Sequence, residues 1–135
     1  ARAPAATRAA AGARVLVIDD NADAADSLVF LLRGQGYEVE VARSGPEAVE
    51  RARAFRPDAA LLDIGLPGFD GYEVARRLRR EHPRELVLVA LTGYGTPEDR
   101  RLAESAGFDA HLVKPVASPK LFALLGRALA ARSGA

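Results

Sequence analysis

The chain has 135 residues, is 49% hydrophobic and 27% charged, and carries a formal net charge of +1. That length supports one domain with a real core but not comfortably two, and the even charge balance gives no reason to expect direct nucleic-acid binding or contact with an anionic membrane. Cysteine is absent, which excludes disulfides and thiolate metal sites, and no apolar run approaches the ~20 residues of a membrane span.

Residues 1–13, ARAPAATRAAAGA, are Ala-rich and lack the apolar segment a signal peptide needs. They are expected to form a disordered linker or arm, and with the lack of cysteine they fit a cytoplasmic setting. The folded domain is expected over 14–131, with 132–135 as a frayed tail.

RVLVIDD, from Arg14, is a continuous apolar run ending in two acids and reads as a strand. Ala24, Ala25, Leu28, Val29, Leu31 and Leu32 then recur at helical spacing, giving a helix over about 23–35 that Gly34 and Gly36 stop. YEVEVA alternates apolar and polar residues, as an edge or half-buried strand does. Ser44, Pro46 and Glu47 form a helix start, and that helix runs to about Phe55. DAALLD is the third strand, and Asp70 with Glu73 opens a helix through Glu81. ELVLVALT is a strand apolar on both faces. Thr96-Pro97-Glu98-Asp99 starts a helix that Gly107 ends, and its chief apolar anchor is expected to be Leu102. DAHLVK is the fifth strand. Ser118-Pro119 starts the last helix, with Leu121, Phe122, Leu125 and Leu129 facing inward.

Strand and helix alternate five times. Such a (βα)5 chain with short connections makes a doubly wound α/β domain, a five-stranded parallel sheet with helices on both faces. The alternating strand two belongs at an edge. The strand order 2-1-3-4-5 is borrowed from flavodoxin-like folds rather than deduced from the residues.

In a parallel sheet every strand's carboxyl end lies along one edge. Strand one ends in Asp19-Asp20, strand three in Asp63, strand four in Thr92 and strand five in Lys114. These five polar groups are expected to converge on the crevice where such sheets bind ligands. Two carboxylates 4 Å apart repel by about 4 kcal/mol at an effective dielectric near 20, and Lys114 offsets only part of that. A divalent cation is the natural remedy, and oxygen ligands with retained waters suit Mg2+. Carboxylate, Mg2+, hydroxyl and ammonium around one point are the groups that phosphoryl transfer to a carboxylate requires.

VLVIDDN, LLDIGLPGFDG, ALTGYG and HLVKPV, in this order and spacing, resemble the receiver domain of two-component response regulators over about residues 14–131. The resemblance implies Asp63 as phosphoacceptor and Mg2+ held by Asp20 directly, by Asp19 largely through water, and by Asp63 and the Gly65 carbonyl. It implies that Thr92 hydrogen-bonds the phosphoryl group, that Lys114 pairs with it, and that the Lys114–Pro115 peptide is cis. Gly65 and Tyr94, two residues beyond Asp63 and Thr92, would tune water access and so the lifetime of the phosphate. His111 stands three before Lys114, where the family usually has Tyr or Phe as a ring that swings inward with Thr92. Imidazole buries less surface and titrates near neutrality, so that coupling is open here, and Val116 replaces a common Phe.

Several residues have plainer readings. Asp19-Asp20 as simple helix caps fits poorly, because Asn21 or Asp23 can cap instead. A Ca2+ loop counted from Asp19 fails at its sixth and twelfth positions, which are Ala24 and Phe30. Asp70 reads as a cap, and His82 as solvated surface. A haloacid-dehalogenase-type phosphatase needs an Asp-x-Asp nucleophile, which Asp19-Asp20-Asn21 does not supply.

The resemblance thus implies a domain that takes a phosphoryl group from a phosphohistidine of a sensor histidine kinase, or of a histidine phosphotransfer protein, onto Asp63. It would catalyse its own phosphorylation and slow dephosphorylation. The expected context is the C-terminal receiver of a hybrid histidine kinase. The alternative is a stand-alone single-domain response regulator that acts as a phosphate shuttle or sink. The fourth helix, EDRRLAESA (98–106), weakly anchored beside Thr92, is the expected moving element.

Overall fold

The apolar runs of the sequence become the strands of a single sheet. The computed structural model describes residues 12–64, 70–82, 86–93 and 95–133. Along the chain come β1 (Arg14–Ile18), α1 (Ala22–Gly34), β2 (Glu38–Ala42), α2 (Gly45–Phe55), β3 (Ala59–Asp63), α3 (Gly71–Glu81), β4 (Val87–Thr92), α4 (Pro97–Ser105), β5 (Ala110–Val113) and α5 (Ser118–Ser133). The sheet order is β2-β1-β3-β4-β5, and every pairing is parallel, with Ile18 beside Ala42 and Leu62, Asp63 beside Leu91, and Thr92 beside Val113.

Continuous apolar strands are needed because both faces are covered. On one face Val15, Val17, Leu61, Val89, Leu91 and Leu112 meet α1 through Ala25 and Leu32, and α5 through Leu121, Leu125 and Leu129. On the other, Leu16, Ile18, Ala60, Leu62, Leu88 and Ala90 meet α2, α3 and α4 through small residues such as Ala48, Ala52, Ala75 and Ala103. Each large aliphatic side chain so buried contributes about 1.5–3 kcal/mol. The strand that alternates in sequence, β2, is an edge strand with two half-buried positions.

Side-chain caps fix where the helices begin. Asn21 Oδ1 accepts the Ala24 amide at 3.0 Å, Ser44 Oγ the Glu47 amide at 3.2 Å, and Thr96 Oγ1 the Asp99 amide at 3.1 Å. Asp70 Oδ1 accepts the Tyr72 and Glu73 amides at 3.0 and 3.4 Å. The Glu47 carboxylate reaches back to the Arg43 amide at 2.7 Å, one residue before the cap. Gly36, at φ 94°, turns the chain out of α1, while Gly34 stays within the helix.

Two expectations are corrected. Leu102 does not anchor α4: it is 46% exposed, and Ala103 with Ala106 faces the sheet instead. The methyl-sized side chains put α4 against the core with little apolar surface, so the helix is more weakly held than its leucine suggested. His82 is not simple solvated surface. It is the C-cap of α3, and its Nε2 is buried without a hydrogen-bond partner among the described residues.

Candidate functional site

Among the described residues the buried polar or charged side chains are Asp19, Asp63 and Thr92, each at the carboxyl end of a strand in the centre of the sheet. Asp19 follows β1 directly and extends its ladder by one step, its amide donating to Ala42 O at 3.0 Å. Asp63 is the last residue of β3, and the next amide, of Ile64, donates to Leu91 O at 3.0 Å. Thr92 ends β4, and its carbonyl accepts the Lys114 amide at 2.7 Å. That bond ties the turn after β5 to the end of β4.

Lys114 Nζ donates to Asp63 Oδ2 and forms an ion pair with it; Asp63 is 1% exposed, whereas the lysine side chain is 36% exposed. The ammonium therefore closes the pocket from its solvent side. The peptide between Lys114 and Pro115 is cis. Asp19 Oδ1 accepts the Asn21 amide at 2.9 Å, a local turn that aims the carboxyl inward while Asn21 itself caps α1. Its other oxygen, Oδ2, is buried with no hydrogen-bond partner among the described residues. Burial pushes the Asp19 carboxyl above its usual range. The Asn21 amide opposes this, the Asp63 charge reinforces it, the Lys114 charge opposes it, and the Asp20 charge reinforces it.

Asp20 stands exposed at the rim. Among the described residues no three acidic or imidazole groups stand as a ready metal cage; the buried part of the site is Asp19 and Asp63, with Lys114 over them. That donor set fits Mg2+. The ion takes one or two carboxylates and keeps several waters, and a buried carboxylate oxygen with no partner is an acceptor in want of one. Gly65 and Tyr94 lie outside the described residues. His111 is half-buried on β5, in register with Ala90 and so on the α2–α4 face.

In the sequence Gly71 stood out only as the last residue of LLDIGLPGFDG. A Cβ there would lie 2.7 Å from Ile64 Cγ2 and 2.9 Å from Ile64 Cα. The missing side chain lets α3 start directly against Ile64, the residue after Asp63. A glycine after a capping acid, in the same loop as a strand-end aspartate, was the available signal.

A doubly wound sheet of order 2-1-3-4-5, with a buried aspartate at the end of its middle strand joined to a lysine from the neighbouring strand end, defines the receiver class of signalling domains. Residues 15–126 match the family described as response regulator receiver domain. The chain belongs to that family and is a receiver domain of two-component signalling. It is similar to a CheY-like receiver domain protein from Methanospirillum hungatei JF-1, with 29% identity, a TM-score of 0.85, and 92% of this chain and 98% of that chain covered. It is also similar to chemotaxis protein CheY4 of Vibrio cholerae, with 30% identity, a TM-score of 0.81 and coverage of 87% and 98%. The signal receiver domain of a modulated diguanylate cyclase from Desulfovibrio desulfuricans G20 shares 34% identity, with a TM-score of 0.80 and coverage of 90% and 97%. No helix among the described residues is long and apolar enough to cross a membrane.

Proposed function

We propose that Asp63 is the phosphoacceptor, and that its donor is a phosphohistidine on a sensor histidine kinase or histidine phosphotransfer protein. The observation that carries this is the buried Asp63 paired with the part-exposed Lys114 at the strand ends, beside an Asp19 Oδ2 that has no hydrogen-bond partner among the described residues. A carboxylate oxygen of Asp63 attacks phosphorus, the P–N bond to the donor imidazole breaks, and its electron pair returns to the ring nitrogen. Lys114 neutralises charge gathering on the phosphoryl oxygens, and the Thr92 hydroxyl donates to one of them. Asp19, Asp20, Asp63 and the Gly65 carbonyl would hold Mg2+, which when bound supplies electrostatic stabilisation of the transferring group. Water later cleaves the acyl phosphate, with Gly65 and Tyr94 setting its access, so the domain catalyses both its own modification and its slow reversal.

The phosphoryl dianion then biases a two-state element, for which α4 is the candidate, with His111 and Thr92 as its coupling residues. In its fuller context the domain would serve as a receiver of a hybrid histidine kinase, with a stand-alone shuttle or sink as the alternative. The setting would be cytoplasmic, where such kinases hold their phosphohistidine.

The test is phosphoryl uptake from a small acyl-phosphate donor with Mg2+. Uptake by the native chain, its loss in Asp63→Asn, and its loss on chelation are expected. Undiminished uptake by Asp63→Asn would refute the assignment.

A further inference from the structure

The outer face of α1 carries the largest exposed apolar side chain among the described residues, Phe30, at 79% exposure, with Leu31 beside it at 37%. They line a shallow groove between α1 and α5 together with Asp26, Val29, Arg33 and Phe122. Asp26, Val29, Phe30 and Arg33 are spaced i, i+3, i+4 and i+7, so they form one stripe along the helix. The stripe is acidic at its N-terminal end, apolar in the middle and basic at its C-terminal end. Asp26 has no ion pair among the described residues. Arg33 donates one N–H to Val39 O at 3.2 Å, which steadies the guanidinium and leaves further donors of its five.

We propose that this stripe is a self-complementary surface that pairs two copies of the chain through α1 about a two-fold axis. The midpoint between Asp26 and Arg33 falls between Val29 and Phe30. An axis through that point, perpendicular to the helix, sets two α1 helices antiparallel. It lays Phe30 of each copy beside Val29 of the other and over the groove edged by Phe122. It also places each Asp26 opposite the partner's Arg33, two identical ion pairs about 10 Å apart across an apolar centre. An isologous contact needs this property, a patch that complements itself on rotation. The charge order of the stripe commits the occupant to a second copy: an antiparallel twin supplies base opposite acid at both ends without any further residue. One helix face buries well under the about 800 Å2 per partner of a stable interface, so the dimer is weak and forms at high concentration.

Sedimentation equilibrium of the full chain from about 10 μM to 1 mM tests this, in the range where weak interfaces populate. A monomer–dimer equilibrium is expected. Asp26→Arg alone and Arg33→Asp alone each set like charges against one another, and each weakens dimerisation about tenfold or more. The double variant D26R/R33D reverses the order along the stripe and recovers dimerisation. A one-to-one mixture of the two single variants gives a heterodimer tighter than either homodimer. Both positions are exposed, and unchanged circular dichroism confirms that the variants fold. A native chain that stays monomeric throughout, or a dimer indifferent to the single reversals, overturns the proposal. So does a pair of single variants that do not rescue each other.

Discussion

Asp19→Asn isolates the electrostatic cost built into the pocket. The native carboxyl is 1% exposed, one of its oxygens has no hydrogen-bond partner among the described residues, and burial is the largest of the effects that raise its pKa. The Asn21 amide and the Lys114 charge oppose the rise and the Asp63 and Asp20 charges add to it, with burial the largest cause. Burial of a charged, unpartnered acceptor costs about 1–3 kcal/mol. Asparagine keeps the shape and the Oδ1 acceptor for the Asn21 amide while removing the charge. Without divalent cations near pH 7, the variant should therefore be more stable by about 1–2 kcal/mol, or roughly 3–6 °C in Tm for a domain of this size. The sign with pH follows from linkage. A carboxyl whose folded-state pKa lies above its ordinary 3.8 holds its proton longer in the folded chain, so native stability falls as pH rises through that window. The advantage of the variant should thus be full above the window and vanish below it. Added Mg2+ should narrow the gap, because an ion bound only by the folded chain stabilises it by mass action and the variant has one ligand fewer. Thermal denaturation followed by circular dichroism across pH, with and without Mg2+, checks all three. A variant no more stable than the native chain in metal-free buffer at pH 7, or a gain unchanged at low pH, would refute the reasoning.

Gly71→Ala should destabilise the domain by about 1–3 kcal/mol, since the new Cβ meets Ile64 Cα, a backbone atom that cannot swing away. Urea denaturation reads the loss, and a value within error of zero would show that α3 can slide. Arg79→Ala should cost a similar ~1–3 kcal/mol by leaving acceptors unmet. The native guanidinium donates to Gly107 O at 2.9 and 3.1 Å, Leu86 O at 2.7 Å and Asp109 Oδ2 at 2.6 Å, joining α3 to the starts of β4 and β5. Amide hydrogen exchange in residues 86–88 and 107–110 should rise together; a rise confined to one strand would contradict a shared clasp.

Elements carried by period and punctuation were legible in the sequence. The apolar runs ending at Ile18, Asp63 and Thr92 fixed three strands, and Ser44, Asp70 and Thr96 three helix starts through the hydrogen bonds such residues make, whereas the first helix was expected from about Asp23 and begins at Ala22 with Asn21 as its cap. The alternation in EVEVA placed β2 at an edge. Strand-end chemistry gave the pocket for the same reason, since parallel strands share one carboxyl edge. Helix phase was less legible where a helix packs through alanine. In α4 the single leucine drew the eye, but only the neighbouring helix and the Ala103 and Ala106 methyls decide which side faces the sheet. The end of α3 failed similarly, because whether a histidine before a proline is wet depends on groups distant in sequence. The exposure of Asp20 beside the burial of Asp19 was equally hidden in a pair of identical letters, since it turns on the Asn21 amide drawing Asp19 inward.

The most direct test of the central assignment is chemical. After reaction with a phosphodonor and Mg2+, borohydride reduction converts an aspartyl phosphate to homoserine, and peptide mass spectrometry locates it. Homoserine at position 63, absent without donor, is the expected result. A phosphorylated chain with Asp63 unreduced and the modification at another carboxylate, or on His82 or His111, would contradict it.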